Sequence, residues 1–441
     1  MKIIEGFEAA KSILSRRTPA ELYSVSPALR QRLKETFGAE IELEQAVRQI
    51  IDGVRNRGDA ALLDYTLKID GVKLASLEVD KDQVSSAYHE IDRELVSALE
   101  LAAERIRHFH QEQKNSILKG AGDLEASQLI RPLERAGIYA PGGTASYPST
   151  VLMTVIPARV AGVGEVILTT PPGTSGAVPP ATLVAADIAG ADRIFAIGGA
   201  QAIAALAFGT ESVPQVDKIC GPGNIFVVWA KKLVYGVVDI DGLQGPSEVL
   251  IIADRTASPE YCAADLLAQA EHDPLASAIL VTTSPPLAAE VNREVERQLK
   301  GLERQAIAAQ ALENRGVIAI VSNMDEAIEL ANLYAPEHLS LMVEKPTASV
   351  PRITNAGCIF TGEDSTVVLG DYVAGPSHAL PTGGTARFGS PLNICDFIKF
   401  INVVSIDRAG LKQLGPAAST IARAEGLEAH ARAVERRLKA E

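Results

Sequence analysis

The chain has 441 residues, too many for one ordinary core, so two or more domains are expected. Apolar residues make up 47% and aromatics only 5%, the balance of a large α/β protein with buried parallel strands. The formal net charge of −13, without a basic stripe, argues against nucleic acid as a partner, because phosphate binding needs clustered Lys and Arg. The four cysteines, Cys220, Cys262, Cys358 and Cys395, are scattered with no CxxC, which argues against a disulfide framework and fits a reducing cytoplasm. The first residues include acidic ones and no long apolar stretch, unlike a secretory signal. The most apolar region, 151–170, is broken by Pro157, Arg159 and Glu165 and does not read as a membrane span.

Up to about residue 130 the chain reads mostly as helices. One is predicted over about 92–117, with Leu95, Leu99, Ile106 and Phe109 roughly on one face. His108 and His110 lie two apart on it, point in nearly opposite directions, and are expected to be surface histidines rather than a metal pair. From Gly137 the texture changes to short apolar runs alternating with helical stretches. Strands are predicted at 137–140, 165–170, 193–197, 218–220 and 237–243, then a Gly-Pro-Ser break. A second series follows at 248–253, 276–283, 317–321, 338–343 and 358–361. This is the rhythm of parallel sheets with crossover helices. Similar strand ends, Val166-Ile-Leu-Thr-Thr and Ala278-Ile-Leu-Val-Thr-Thr, hint that the two series are related domains. After Phe397 come polar turns and two short helices. The last, over 427–439, places Leu427, Ala431, Val434 and Leu438 on one face and a basic surface opposite, a pattern that packs on another domain or a partner subunit.

Two of the seven histidines stand in contexts that suggest metal-assisted chemistry. Gln269 and His272 are three apart on a predicted helix and share a face, although spacing alone favours a polar helix end, since Gln is a rare ligand. Glu337-His338 follows a Tyr-Ala-Pro turn where Pro336 stops a helix, which puts a carboxylate and an imidazole at a helix-to-strand loop. Such a pair can activate water and take a proton from an alcohol. Glycine-rich turns surround Asp371 and lead to Gly375-Pro-Ser-His378 and Pro381-Thr-Gly-Gly384. His430, on the apolar side of the last helix, reads by itself as a satisfied buried histidine. There is no GxGxxG after a strand and no Walker A motif. Gly198-Gly-Ala-Gln201 and Gly221-Pro-Gly-Asn224 do follow predicted strands and could contact a nucleotide through backbone and side-chain amides.

These pieces, in this order, resemble the histidinol dehydrogenase family over nearly the whole chain. The matching stretches begin at Gly137-Ile-Tyr-Ala-Pro-Gly-Gly, Tyr147-Pro-Ser-Thr-Val-Leu-Met, Gly198-Gly-Ala-Gln and Val216-Asp-Lys-Ile-Cys-Gly-Pro-Gly-Asn. They continue through Gly245-Pro-Ser-Glu-Val, Asp265-Leu-Leu-Ala-Gln-Ala-Glu-His, Ala335-Pro-Glu-His-Leu, Gly370-Asp-Tyr-Val-Ala-Gly-Pro-Ser-His and Ala424-Glu-Gly-Leu-Glu-Ala-His. The resemblance implies two related Rossmann-like (aldehyde-dehydrogenase-like) α/β domains with small helical terminal segments. It goes with an expected division into an N-terminal arm at 1–25, a first domain at 26–135 plus 247–390, a second, NAD-binding domain at 136–246 and a dimerisation tail at 391–441.

The resemblance also implies one Zn2+ per subunit held by Gln269, His272, Asp371 and His430, and an acid–base pair of Glu337 and His338. NAD contacts would be Tyr139, Gln201 and Asn224; substrate contacts would be Ser247 and Glu425 together with His338 and the metal ligands. It implies a homodimer whose sites are shared through the tail. The implied reaction oxidises L-histidinol to L-histidine with two NAD through a bound aldehyde. Oxidation of a sulfonated three-carbon diol on the same scaffold is the nearest alternative, although no added basic group for a sulfonate is visible. A zinc-stabilised dimer module without catalysis is the alternative of another class, opposed by the intact set of ionisable residues. Departures from the family pattern are a longer 173–180 segment, Leu243-Gln244 before Gly-Pro-Ser, and Ser377 where Asn often precedes the histidine.

Overall fold

The computed structural model describes residues 1–15, 27–37, 40–120, 128–142 and 146–439. Residues 16–25 of the expected N-terminal arm, and Gly143 of the first matching stretch, lie outside the described residues. Two compact units divide the chain: residues 1–114 with 132–397, and residues 115–131 with 398–441.

In chain order the strands are β1 (Lys2–Glu5), β2 (Gln128–Pro132), β3 (Arg135–Tyr139), β4 (Glu165–Thr170), β5 (Arg193–Ala196) and β6 (Lys218–Cys220). Then come β7 (Asp239–Ile240), β8 (Glu248–Ala253), β9 (Ser277–Thr282), β10 (Gly316–Ile320), β11 (His338–Met342), β12 (Cys358–Thr361) and β13 (Ile398–Asn402). The first unit holds two wholly parallel sheets, ordered β5-β4-β3-β6-β7 and β1-β10-β9-β8-β11-β12. Counted from their own first strands, β3 and β8, both follow the order 3-2-1-4-5. The two series, whose similar strand ends hinted at related domains, therefore share a strand order. Central strands such as β8 and β9 are buried at every position, as expected where helices cover both faces.

Helix placement differs from the expected grouping of 26–135 with 247–390. The helix Leu43–Arg57 packs its apolar stripe, Val47, Ile50 and Val54 among it, on the helices Gly199–Phe208 and Ile225–Val234 of the five-stranded half. Lys81–Ala87 meets Pro180–Ala189 in the same half. The alanine-rich helix Gly199–Phe208, buried almost throughout, presents the small-residue surface that a stripe of Val and Ile fills. In turn, β1 crosses to the other sheet and extends its edge beside β10. It was not predicted: only Ile4 of its four residues is buried, and its pairing lies more than 300 residues away in sequence.

Other expectations shift for local reasons. The predicted strand 237–243 shrinks to Asp239–Ile240, because Asp241 turns inward to pair with Lys231. The helix predicted over 92–117 runs over Arg93–Gly120. His108 is exposed, as expected, but His110 is fully buried, with Nδ1 donating to Gln113 Oε1 at 3.2 Å. The second unit contains a β13-β2 sheet and two helices, Arg408–Ala424 and Glu428–Lys439. These helices form a hairpin, so the apolar face of the last helix has a neighbour within its own chain. Gly415 lets them approach: a Cβ there would stand 3.0 Å from Leu438 and 3.1 Å from Val434. Among the described residues, no helix is long and apolar enough to cross a membrane.

Candidate active site

The connection from β7 to β8 is only seven residues long. It runs from the carboxyl edge of the five-stranded sheet directly to the amino edge of the six-stranded one. In open parallel sheets, ligands usually gather at the carboxyl edge, at the point where strand order reverses. The five-stranded sheet keeps that arrangement. Its reversal lies between β3 and β6, whose ends carry Tyr139 and the loop Gly221-Pro-Gly-Asn224. Gly221 is required there, because its φ is +114° and a Cβ would fall 2.0 Å from the Tyr139 carbonyl oxygen. Asn224 caps the next helix, its Oδ1 accepting from the Phe226 and Val227 N–H groups at 3.0 and 3.3 Å. Tyr139 is buried, its Oη accepting from Gly199 N at 3.1 Å, and burial pushes its hydroxyl up to about 12. Gln201 is fully buried, and neither polar atom of its amide has a hydrogen-bond partner among the described residues. An unsatisfied buried amide next to a glycine loop is what a ligand-facing group looks like without its ligand.

The same crevice in the six-stranded sheet is closed. At the carboxyl ends of β8 and β11, Asp254 N donates to Met342 O at 3.3 Å, and Asp254 Oδ2 accepts from Glu344 N at 2.9 Å. The sequence-predicted residues of this sheet stand at its amino edge instead, where β8, β11 and β12 begin with Glu248, His338 and Cys358.

Glu337 and His338 enter β11 from a strained turn. Ala335 ends the helix Met324–Tyr334 at φ +53°, the sole positive φ outside glycine among the described residues, and Pro336 forbids the helix from continuing. Gly357 permits the neighbouring chain to close on this turn, since a Cβ there would lie 2.6 Å from Glu337 O. Both side chains of the pair are buried. Glu337 Oε2 accepts from Glu248 N at 2.7 Å, and His338 Nδ1 donates to Glu248 O at 3.1 Å. The carbonyl can only accept, so Nδ1 carries a proton and Nε2 is the atom left for chemistry. Nε2 lies 3.3 Å from Asp371 Oδ1, not aligned for a hydrogen bond. Burial alone would lower the His338 value, but the Glu337 and Asp371 carboxylates overcome it and hold the imidazole well above its ordinary range.

Asp371 sits on the short helix Val367–Tyr372. Burial would raise its carboxyl, yet the contact with His338 and the charges of His338, His378 and His272 keep it below the usual range. His378 donates from Nδ1 to Asp371 O at 2.7 Å and so accepts at Nε2 from Thr150 Oγ1 at 3.1 Å. His338, Asp371, Cys358 and Phe360 line a cavity of about 260 Å³. Gln269 is buried on the helix Pro259–Ala270, which ends before His272; His272 occupies an exposed turn closed by its N–H on Gln269 O at 3.3 Å. Ser247 is half-buried just before β8, its carbonyl accepting from Ser277 N at 3.0 Å. Glu425 and His430 belong to the second unit, where both are exposed and line an apolar groove on the tail hairpin; the reading of His430 as a buried core residue does not hold. Among the described residues, no three His, Cys, Asp or Glu side chains are drawn together closely enough to hold a metal.

Sequence reasoning missed several members. Glu248 supplies backbone partners to both Glu337 and His338, and its Oε1 accepts from Gly383 N at 3.2 Å. Lys231, fully buried, forms an ion pair with Asp241 and donates to Gly221 O and Gln244 Oε1, each at 3.1 Å. Asp241 Oδ2 accepts from Gly221 N at 2.7 Å. The unusual Gln244 thus ties the glycine loop to the segment before Ser247. A Lys in an apolar helical run was the one available signal.

A buried carboxylate–imidazole pair at the edge of one parallel sheet and a glycine-lined reversal point on another are the arrangement of a two-sheet α/β protein of the dehydrogenase kind. The family model for histidinol dehydrogenase matches residues 34–438. A histidinol dehydrogenase of Dehalococcoides mccartyi (strain CBDB1) is 58% identical over 439 residues, covering 100% of each chain. One from Deinococcus radiodurans is 49% identical over 442 residues with the same coverage. The crystal structure of histidinol dehydrogenase from Elizabethkingia anophelis superposes with a TM-score of 0.89 at 37% identity, covering 100% of this chain and 98% of that one. The chain belongs to the histidinol dehydrogenase family.

Proposed function

We propose that this enzyme oxidises L-histidinol to L-histidine, in histidine biosynthesis, by two successive two-electron steps through bound L-histidinaldehyde. The observation that carries the reading is the buried Glu337–His338 pair against Asp371 in a member of this family. His338 takes the substrate hydroxyl proton at Nε2 as the carbinol C–H bond breaks. Glu337, anchored through Oε2 on Glu248 N, uses its other oxygen to take a proton from the water that adds to the aldehyde. As water adds, His338 returns its proton to the aldehyde oxygen, and it then takes the proton of the hydrate's hydroxyl as the second C–H bond breaks. Closure of the pair within the sheet edge excludes bulk water from these transfers.

NAD, when bound, accepts one hydride per oxidation, so two are used for each substrate; its contacts would be Tyr139, Gln201 and Asn224. The unsatisfied Gln201 amide and the reversal-point glycines support that placement. Zinc fits the donors present: an amide and an imidazole from one helix end, Gln269 and His272, and the carboxylate of Asp371, on which the His272 charge bears. A zinc ion held there would supply positive charge that offsets Asp371 and so favours the unprotonated Nε2 the base role of His338 needs, and it would anchor the substrate's amine and imidazole. The fourth donor, His430, and the substrate contact Glu425 would come from the tail of a second copy in a homodimer, with Ser247 as a further substrate contact. The apolar groove around Glu425 and His430 supports a tail that docks on a partner. Neither the sulfonated diol nor a non-catalytic module finds support among the relatives. The decisive measurement is the NADH yield from limiting histidinol. Two NADH per substrate are expected; one NADH with aldehyde release would reject the four-electron reading.

A further inference from the structure

The helix Pro259–Ala270 carries, one turn before Gln269, a second buried polar residue. Asp265 is 6% exposed and Gln269 is 2% exposed. They are four apart and share one helix face. Each has one polar atom that is fully buried and without a hydrogen-bond partner among the described residues: Asp265 Oδ2 and Gln269 Nε2. One is an acceptor and the other a donor. The second carboxylate oxygen is already committed, because Asp265 Oδ1 accepts from Thr366 Oγ1 at 2.7 Å. Thr366 directly precedes the helix Val367–Tyr372 that bears Asp371, and it lines the cavity with Asp371 and His338.

We propose that Asp265 is a positioning residue of the metal site, taking the Gln269 amide N–H on Oδ2 while its Oδ1 pins the Asp371 helix through Thr366. The inference rests on the reading of Gln269 and Asp371 as metal ligands and adds the group that makes the amide serviceable. A neutral amide is a poor ligand beside a carboxylate or imidazole. It binds through Oε1, which leaves Nε2 pointing away and in need of an acceptor. A carboxylate on Nε2 fixes which end of the amide meets the metal and withdraws the ambiguity of a flip. It also pushes electron density toward Oε1, as outer partners do for ligating imidazoles. The bond to Thr366 ties two ligand-bearing segments, separated by about a hundred residues, to one carboxylate. A single side chain thereby sets the relative position of Gln269 and Asp371.

The test is zinc affinity, read by competition with a chromogenic chelator on the apo and zinc-loaded full-length enzyme. Asp265→Asn keeps the shape, but its amide can no longer accept from Gln269 while also accepting from Thr366. Affinity should fall about 10–100-fold. The discriminating comparison repeats the substitution in a Gln269→Glu background. A carboxylate ligand needs no acceptor behind it, so removing the Asp265 charge there should cost no affinity, or should raise it. Asp265→Leu, which also loses the Thr366 bond, serves if Asp265→Asn does not fold: its loss should be clearly larger in the wild-type than in the Gln269→Glu background. An equal loss in both backgrounds would mean a general packing role and would overturn the proposal. So would wild-type affinity in Asp265→Asn, with the ligand reading left standing. A wild-type enzyme that takes up no zinc at all would overturn the ligand reading and this inference together.

Discussion

His338 touches three groups of different kinds: a backbone carbonyl on Nδ1, the Glu337 carboxylate 3.5 Å from the same nitrogen, and Asp371 beside Nε2. The carbonyl fixes the tautomer, so the ring needs no rearrangement to present Nε2. His338→Asn should therefore lower turnover by about 10²–10⁴-fold while zinc content, by elemental analysis, stays at the wild-type level. Near-normal turnover would remove His338 from the role of base. His110 makes a separate prediction about stability. Burial depresses its imidazole below the ordinary 6.5 despite the bond to Gln113. The unfolded chain then binds this proton more readily than the folded one, so stability is complete above about 6.5 and falls as pH drops toward the lower folded value. Between about pH 8 and about pH 5.5, the melting temperature of wild type should fall further than that of His110→Gln. Equal falls would show that His110 does not contribute to acid sensitivity.

At the level of elements, the Lys231–Asp241 pair holds three pieces of chain together: the helix Ile225–Val234, the glycine loop at 221–224 and the connection to β8. Both side chains are almost wholly buried, and breaking such a pair from one side leaves an uncompensated charge. Lys231→Met should cost about 3–5 kcal/mol in chemical denaturation. Lys231→Met combined with Asp241→Leu should recover much of that loss, because no lone charge remains. Recovery of stability should stay incomplete in the double variant, since Gly221 N loses its Asp241 acceptor at 2.7 Å. If the single and double variants unfold at the same denaturant concentration, the unpaired charge is not what governs stability here.

At the level of the whole molecule, the residues implied for one site come from both compact units. Gln269, His272, Glu337, His338 and Asp371 lie in the first, whereas Glu425 and His430 lie in the second. If the second unit serves a partner copy, two inactive variants should complement each other. Mixing Glu337→Gln with His430→Ala subunits under exchange conditions should restore activity, to about a quarter of wild type for random pairing with one intact site per heterodimer. Verified heterodimers that remain inactive would mean that each site is built within one chain.

The residues in periodic apolar runs made most of the fold legible from sequence. The ten predicted strands of the two series all recur, one of them shortened to Asp239–Ile240, because a buried parallel strand is a continuous apolar run whatever its partners. The motif residues of the candidate site could be named in the same way, from the resemblance their stretches carry. What lay beyond sequence was whatever depends on distant pairing. Edge strand β1 needed β10 to bury Ile4. His110, on a face judged only by helical period, was buried by the chain packed over it, with Ile394 N donating to the same Gln113 oxygen at 3.1 Å. The grouping of Leu43–Arg57 with the five-stranded half depended on an alanine surface made 150 residues later. The bonds of Glu248, Lys231 and Asp265 likewise join positions whose spacing is irregular along the chain. Local periodicity is written residue by residue and determines which segments become strands and helices. Which of them meet, and which polar atoms find partners or are left waiting for a ligand, is decided only when the close-packed tertiary structure excludes water and makes every buried donor and acceptor count.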